Sequence, residues 1–243
     1  MLYDIDYSET HTVWISSLVY GAKNSTMNYG SFLLKLKERS TFAAIKLNDD
    51  SRSFVPVDNA THVVVSTVVD EPTVASGGYG TTFIVRKSDM KIVESCPKVP
   101  TALWAAGFDE NGDIWFGTYF TNIYYLNGTF YIYKLHGNCL WSRYGISLQG
   151  QPFWGLIRGL YAGSIWFLAQ RNGTLVRFNM VTHTFTKYVL GPEFAAGGVI
   201  DRVNGNLWIS GSNHLYRFNI ATNRIDAFNF SRLFRHAPGG LAL

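Results

Sequence analysis

A tryptophan recurs along this chain inside nearly the same local phrase. "NGDIWFGTY" runs from Asn111 to Tyr119, "AGSIWFLAQ" from Ala162 to Gln170 and "NGNLWISGS" from Asn204 to Ser212. The likeness of the last two extends well beyond the phrase, since "IWFLAQRNGTLVRFNMVTHTFTKYVL" (165–190) aligns with "LWISGSNHLYRFNIATNRIDAFNF" (207–230). Each copy reads as an apolar strand, a turn, an Arg-Phe-Asn strand, a Thr/Asn turn and a last alternating strand. Period-two alternation bounded by Asn, Gly and Thr is the mark of strands joined by hairpin turns.

Weaker copies precede these. "TVWISSL" (12–18) is followed by "SFLLKLKERSTFAAIKL", and "THVVVST" (61–67), with Val64 in the tryptophan position, by "TTFIVRKSDMKIVES". Around Trp115 the order is "DIWFGTY", "NIYYLNG", "TFYIYKL". The anchors are Trp14, Val64, Trp115, Trp166 and Trp208, at spacings of 50, 51, 51 and 42 residues. A period of roughly 40–50 residues with about four short strands is that of β-propeller blades. Such a sheet cannot bury both faces alone, so the tryptophans read as packing between neighbouring blades. The expectation is one all-β domain over 1–243: a β-propeller of five blades, each of four antiparallel strands. The alternative is six, with an incomplete or clasped blade, because "MLYDIDY" and the tail "APGGLAL" (237–243) both read as first strands. "TALWAAGF", "PFWGLIRGL" and "EFAAGGVI" occupy the first-strand position of later blades, their Gly and Ala admitting close approach.

The blade consensus G-x-[IL]-W-[FI] followed by R-[FI]-[ND]-x-x-T resembles the streptogramin B lyase family of β-propellers. It is similar to the sensor propellers of two-component regulators as well. That family opens a cyclic depsipeptide by elimination, with magnesium, a histidine and a Glu-x-His pair, and the resemblance implies such a site here. In "GPEFAAGG" Glu193 stands in place, but Ala195 occupies the histidine position. Glu9 and His11 in "SETH" have the spacing but fall in a first-to-second-strand turn. Without a histidine there is no positioned acid or base for the proton transfer. No catalytic residue and no metal ligand are therefore assigned, and no cofactor is expected. A magnesium or calcium ion belongs to the alternative reading as an enzyme.

Function is sought where the repeat is interrupted. Three long stretches read as loops on one face: Ser17–Ser31, Thr67–Thr81 and Leu135–Pro152. They carry Tyr20, Tyr29, Asp70, Glu71, Tyr79, His136, Trp141, Arg143 and Tyr144. With Glu193 and His236, these form the expected binding set. Tyr, Trp and Arg dominate contacts in recognition surfaces, and insertions on one face of a repeat array mark its binding face. The competing reading folds these aromatics back over the blade ends. Asp70 and Glu71 suit either a hard cation or a solvated loop. The remaining histidines, His62, His183 and His214, read as hydrogen-bonded structure.

Cys96 and Cys139 read as lying in equivalent loops of adjacent blades, a placement that favours a disulfide. Neither has a Cys-x-x-Cys partner or a nearby His, which disfavours zinc. Five sequons, at Asn24, Asn59, Asn127, Asn172 and Asn229, compare with about two expected by chance and are candidate glycosylation sites. Disulfide and sequons lean toward an extracellular, cell-surface or virion protein; the cytoplasm is the alternative, because the acidic start shows no apolar signal core. A net charge of +4 with no basic cluster beyond "KLK" argues against nucleic acid, and no apolar run reaches the roughly 18 residues of a membrane span. The expected partner is a protein or glycan on the long-loop face. Oligomeric state is left open.

Overall fold

In the computed structural model the described residues are 2–7, 12–19, 30–37, 41–48, 51–53, 56–69, 79–99, 102–119, 129–147, 153–169, 173–192 and 195–230. They form five antiparallel sheets, the blades of a five-bladed all-β propeller. Blade 1 is β1 (Leu2–Tyr7), β2 (Thr12–Val19), β3 (Gly30–Lys37) and β4 (Thr41–Asn48), in that order. Blade 2 has a divided first strand, β5 (Ser51–Ser53) and β6 (Val57–Asp58), both pairing with β7 (His62–Val69). It continues with β8 (Tyr79–Arg86) and β9 (Lys91–Val99).

Blade 3 comprises β10 (Ala102–Phe108), β11 (Ile114–Tyr119), β12 (Thr129–His136) and β13 (Leu140–Ser147). Blade 4 comprises β14 (Phe153–Tyr161), β15 (Ser164–Ala169), β16 (Thr174–Asn179) and β17 (Thr184–Val189). Blade 5 comprises β18 (Ala195–Asp201), β19 (Asn206–Gly211), β20 (His214–Asn219) and β21 (Ile225–Asn229). β1 is the first strand of blade 1, while the tail 237–243, on which the clasp and six-blade alternatives turn, lies outside the described residues.

Two compact units are distinguished, Met1–Thr118 with Ile132–Arg143, and Tyr119–Tyr131 with Tyr144–Leu243. In the first, Trp14 of blade 1 packs with Val63, Val65, Phe83 and Val85 of blade 2. In the second, Trp166 and Leu168 of blade 4 pack with Leu207, Ile209 and Phe218 of blade 5. Both clusters have the same cause. A second strand flanked on both sides within its blade still presents two faces, and burying them needs neighbouring sheets. Every side chain of β15 is buried, whereas the fourth strand β17 is largely exposed.

Trp14, Val64, Trp115 and Trp166 are at most 1% exposed, while Trp208 is half-buried. Close approach of blades 4 and 5 is visible at Gly198. A Cβ there would stand 3.0 Å from Ile157 Cδ1 and 3.0 Å from the Trp208 carbonyl oxygen. The small residues expected in first strands are thus required by contact at this position.

One strand assignment is corrected. "NIYYLNG" is not the third strand of blade 3; Thr129–His136 is, and "LWSRYGIS" is the fourth. The two join through a 3-10 turn, Gly137–Cys139, with Asn138 at φ 62° and Cys139 at φ 55°. Residues 135–147 are therefore a strand end, a tight turn and a strand, rather than part of one long loop. The connection that is long in this blade is 120–128.

Candidate functional site

The register pairs each anchor tryptophan with a cation. Across the second and third strands, Trp14 stands opposite Lys35, Trp115 opposite Lys134, Trp166 opposite Arg177 and Trp208 opposite Arg217. The cationic groups lie 5.6, 4.9, 5.6 and 5.9 Å from the respective ring centroids. Where Val64 replaces tryptophan, the opposite residue is Ile84. Directly opposed side chains on a sheet face are close neighbours, and the negative ring face attracts the cation. A sequence signal for this existed: Lys or Arg sits in the middle of "LLKLK", "IYKLH", "LVRFN" and "LYRFN".

Carboxylates complete three of the four clusters. The Trp115 indole N–H donates to Asp109 Oδ2 at 2.8 Å, and Lys134 Nζ lies 3.2 Å from Asp109 and 2.9 Å from Asp113. Burial raises the Asp109 carboxyl, but hydrogen bonds from Trp115 and Lys134, with the charge of Lys134, more than offset it and leave its pKa below the usual value. Burial likewise lowers Lys134, and its bonds to Asp113 and Asp109 outweigh this, so the ammonium is held above its ordinary value. In blade 1 the Trp14 indole donates to Asp58 Oδ2 at 3.0 Å, and Lys87 Nζ meets the same oxygen at 2.5 Å. In blade 5 Asp201 is held below the usual range by Asn204 first and by Trp208 further. Blade 4 has no acid in the corresponding turn, "YAGS", and the buried Trp166 Nε1 has no hydrogen-bond partner.

The Trp14 cluster ties blade 1 to blade 2, and the others lie each within one blade; chemistry has other candidates. At blade 3, His136 Nδ1 lies 3.2 Å from Asp113 Oδ2 and His136 Nε2 lies 3.0 Å from Ser142 Oγ. The side chains of His136 and Asp113 are 35% and 18% exposed. His136 ends β12, so it sits at the first-to-second-turn end of its blade, beside Asp113, and not at the end that carries the second-to-third connection.

The other residues expected in the third loop lie on strand β13. Trp141 packs 5.5 Å from Phe116 and 6.2 Å from Tyr133, between ring centroids. Tyr144 stacks on His183 at 4.3 Å and meets Phe178 at 5.3 Å. Arg143, between them, is exposed on β13. The physical reason is that β13 alternates its faces, so Trp141 and Tyr144 turn toward apolar neighbours. Tyr79 opens β8. Tyr20, Tyr29, Asp70, Glu71, Glu193 and His236 lie outside the described residues, as do Asn24, Asn127 and Asn172. Asn229 is exposed at the end of β21. Asn59 is turned inward on its own turn: its Oδ1 accepts from the amides of Thr61 and His62 at 2.9 and 2.8 Å.

Cys96 and Cys139 are disulfide-bonded, with Cα atoms 5.0 Å apart. Their setting differs from the equivalent loops expected: Cys96 lies within β9 and Cys139 in the 3-10 turn. Glu94 Oε1 touches the Cys139 sulfur at 3.2 Å. Among the described residues, Glu94, Cys96 and Cys139 are the group with metal-ligating atoms within 4.8 Å of one another. Both sulfurs are spent in the bond, and a thiolate is what a metal requires. An open cleft of about 370 Å³ on blade 5 is lined by Asn206, Arg217, Asn219, Thr222, Arg224 and Asp226. Its charges are already mutually paired, Asp226 accepting from Arg217 at 2.6 Å and lying 2.8 Å from Arg224.

No protein-family model and no curated protein matches the chain. Solved structures do. A luciferin-regenerating enzyme superposes with a TM-score of 0.54 at 13% identity, over 94% of this chain and 76% of that one. A chain of the mitotic checkpoint complex superposes with a TM-score of 0.65 at 6% identity, over 93% of this chain and 66% of its own length. Likeness at such identity is a likeness of fold, and fold does not carry function. The chain shares the propeller fold of these proteins.

Proposed function

We propose that this protein is a binding module, non-enzymatic at its long connections, that engages a protein or glycan through the second-to-third-strand connections of blades 1, 2 and 3. The observation that supports it is one of length. Between the second and third strands stand ten residues in blade 1 (20–29) and nine in each of blades 2 and 3 (70–78 and 120–128). Blades 4 and 5 have four and two. Each connection joins the second strand of its own blade to the third, and long insertions at a repeated position of such an array suit ligand contact. The connections of blades 1 and 3 carry Tyr20, Tyr29, Phe120, Tyr124 and Tyr125, rings that lose little entropy on binding, and that of blade 2 carries Asp70 and Glu71.

On this reading 1–243 acts as one domain. The disulfide and the exposed sequon at Asn229 favour an extracellular, cell-surface or virion setting. The enzymatic alternative, a lyase- or hydrolase-type activity in the streptogramin-lyase-like lineage, has the sequence resemblance and Glu193 in its favour and Ala195 against it.

A glycan and peptide array, probed with and without magnesium, tests the proposal. Binding that is lost in Tyr20→Ala/Tyr29→Ala and in Tyr124→Ala/Tyr125→Ala, at unchanged melting temperature, is the expected result. Binding that survives both variants overturns it, as does an array that stays blank in every condition.

A further inference from the structure

We infer that Ser142, His136 and Asp113 form a nucleophilic triad at the opposite end of blade 3, able to transfer the acyl group of a small ester. The inference rests on geometry. The three residues come from separate strands: Asp113 immediately precedes β11, His136 ends β12, and Ser142 is the third residue of β13. Register brings them into one hydrogen-bonded chain, Ser142 Oγ to His136 Nε2 at 3.0 Å and His136 Nδ1 to Asp113 Oδ2 at 3.2 Å.

The hydroxyl and the carboxylate are on opposite ring nitrogens, which is what the chemistry needs. A carboxylate at Nδ1 fixes the proton there and leaves Nε2 free to accept the hydroxyl proton. Lys134 Nζ lies 2.9 Å from Asp113 Oδ2 and holds that carboxylate in place beside the ring. A chain of hydrogen bonds that merely tied down the turn would duplicate a tie already present, because Cys139 in the middle of that turn is disulfide-bonded to Cys96.

The surroundings fit a reacting centre. His136 is reachable at 35% exposure while Asp113 is shielded at 18%. Between His136 and Ser142 the backbone passes through two successive non-glycine residues in the left-handed region, Asn138 and Cys139. Strained backbone of this kind is concentrated at functional sites. Leu140, 63% exposed, and Val93, 44% exposed, are the chain neighbours of the touching pair Cys139 and Glu94. Leu140, two residues before Ser142 on β13, offers an apolar side chain to a short acyl group.

The reaction balances without any added redox partner. Ser142 Oγ bonds to the ester carbonyl carbon as its proton passes to His136 Nε2. The carbon–alkoxide bond then breaks, and the alcohol departs with that proton. Water repeats the sequence on the acyl-serine, releasing a carboxylic acid and restoring Ser142.

The test uses the full chain with an alkyl fluorophosphonate and, separately, p-nitrophenyl butyrate. The expected result is one phosphonyl adduct, mapped by peptide mass spectrometry to Ser142, and ester hydrolysis that the adduct abolishes. Ser142→Ala should carry no adduct, and His136→Gln and Asp113→Asn should label about a hundredfold more slowly or worse. Folding of each variant is checked by its melting curve, and Ser142→Ala removes a single atom. Absence of an adduct on Ser142 in the folded protein overturns the inference. So does labelling at an unchanged rate in folded His136→Gln. Array binding is read independently, so either proposal fails without taking the other with it.

Discussion

Lys134 stands directly across two strands from Trp115, with its ammonium 4.9 Å from the ring centroid and both Asp109 and Asp113 within salt-bridge reach. The lysine and both carboxylates are at most 18% exposed, so removal of the cation leaves shielded charge without its partner. Lys134→Met is expected to destabilise by about 2–3 kcal/mol, which for a chain of this size lowers Tm by roughly 5–10 °C. Chemical denaturation of the single variant, and of its combination with Asp109→Asn, checks this. The two changes should cost less together than the sum of each alone.

The anchor tryptophans differ in one atom's fortunes, and the difference is measurable. Trp115 Nε1 donates to Asp109, whereas Trp166 Nε1 is buried and unpartnered. Phe in place of either loses similar volume. At 115 it takes a donor away from the shielded Asp109 carboxylate, and at 166 it removes an unsatisfied polar group. Trp115→Phe should cost about 1–3 kcal/mol more than Trp166→Phe. Equal losses in a urea titration would contradict the assignment of these bonds.

Reduction of the Cys96–Cys139 bond releases a closure spanning 43 residues. In the chain-entropy account that costs about 4 kcal/mol, so a dithiol reductant should lower Tm strongly in the wild type and leave Cys96→Ser/Cys139→Ser unmoved. Alkylation after reduction, and not before, should add two equivalents by mass. Loosening the Gly137–Cys139 turn should also slow phosphonylation of Ser142.

Acid should destabilise the protein through named groups. The Arg86 side chain holds Asp89 down to about 2, and Asp109, Asp201 and Asp226 also lie below the ordinary carboxylate value of 3.8. A carboxylate with a depressed folded pKa contributes stability that is present above its unfolded value and is lost as pH falls through its folded value. Tm should therefore decline from about pH 4 downward, with Asp89 the last to titrate. Lys134 has the opposite sense: its raised value contributes stability that is full below 10.5 and lost on passing above it. In Asp109→Asn the acid limb should be shallower, which a pH series of melting curves would show.

The blade repeat was legible because a packing demand recurs at one strand position, and Trp14, Trp115, Trp166 and Trp208 record it. Blade 3 was misregistered for a local reason. "NIYYLNG" has the alternation of a strand, while the true third-to-fourth turn, "HGNC", is short and makes its reversal with left-handed Asn138 and Cys139 rather than with an Asn-Gly pair. Moving that turn by a few residues changed the role of Trp141 and Tyr144 from loop tips to strand packing. The chain Asp113–His136–Ser142 was invisible for a related reason. Its members are 23 and 6 residues apart, and only the pairing of three strands brings them together.

Blade 2 shows what that packing demands of the whole chain. It lacks both members of the aromatic–cation pair, having Val64 opposite Ile84, yet its Asp58 serves Trp14 in the preceding blade. The repeat units are consequently not interchangeable parts. A duplicate of blade 2 set behind blade 3 or blade 5 would bring an acid to a tryptophan whose own blade already supplies one, Asp109 for Trp115 and Asp201 for Trp208. A duplicate of blade 1 would carry a tryptophan whose carboxylate comes from the blade behind it. Blades 1 and 2 are thus fixed as a pair, whereas blades 3 and 5 each carry their own acid.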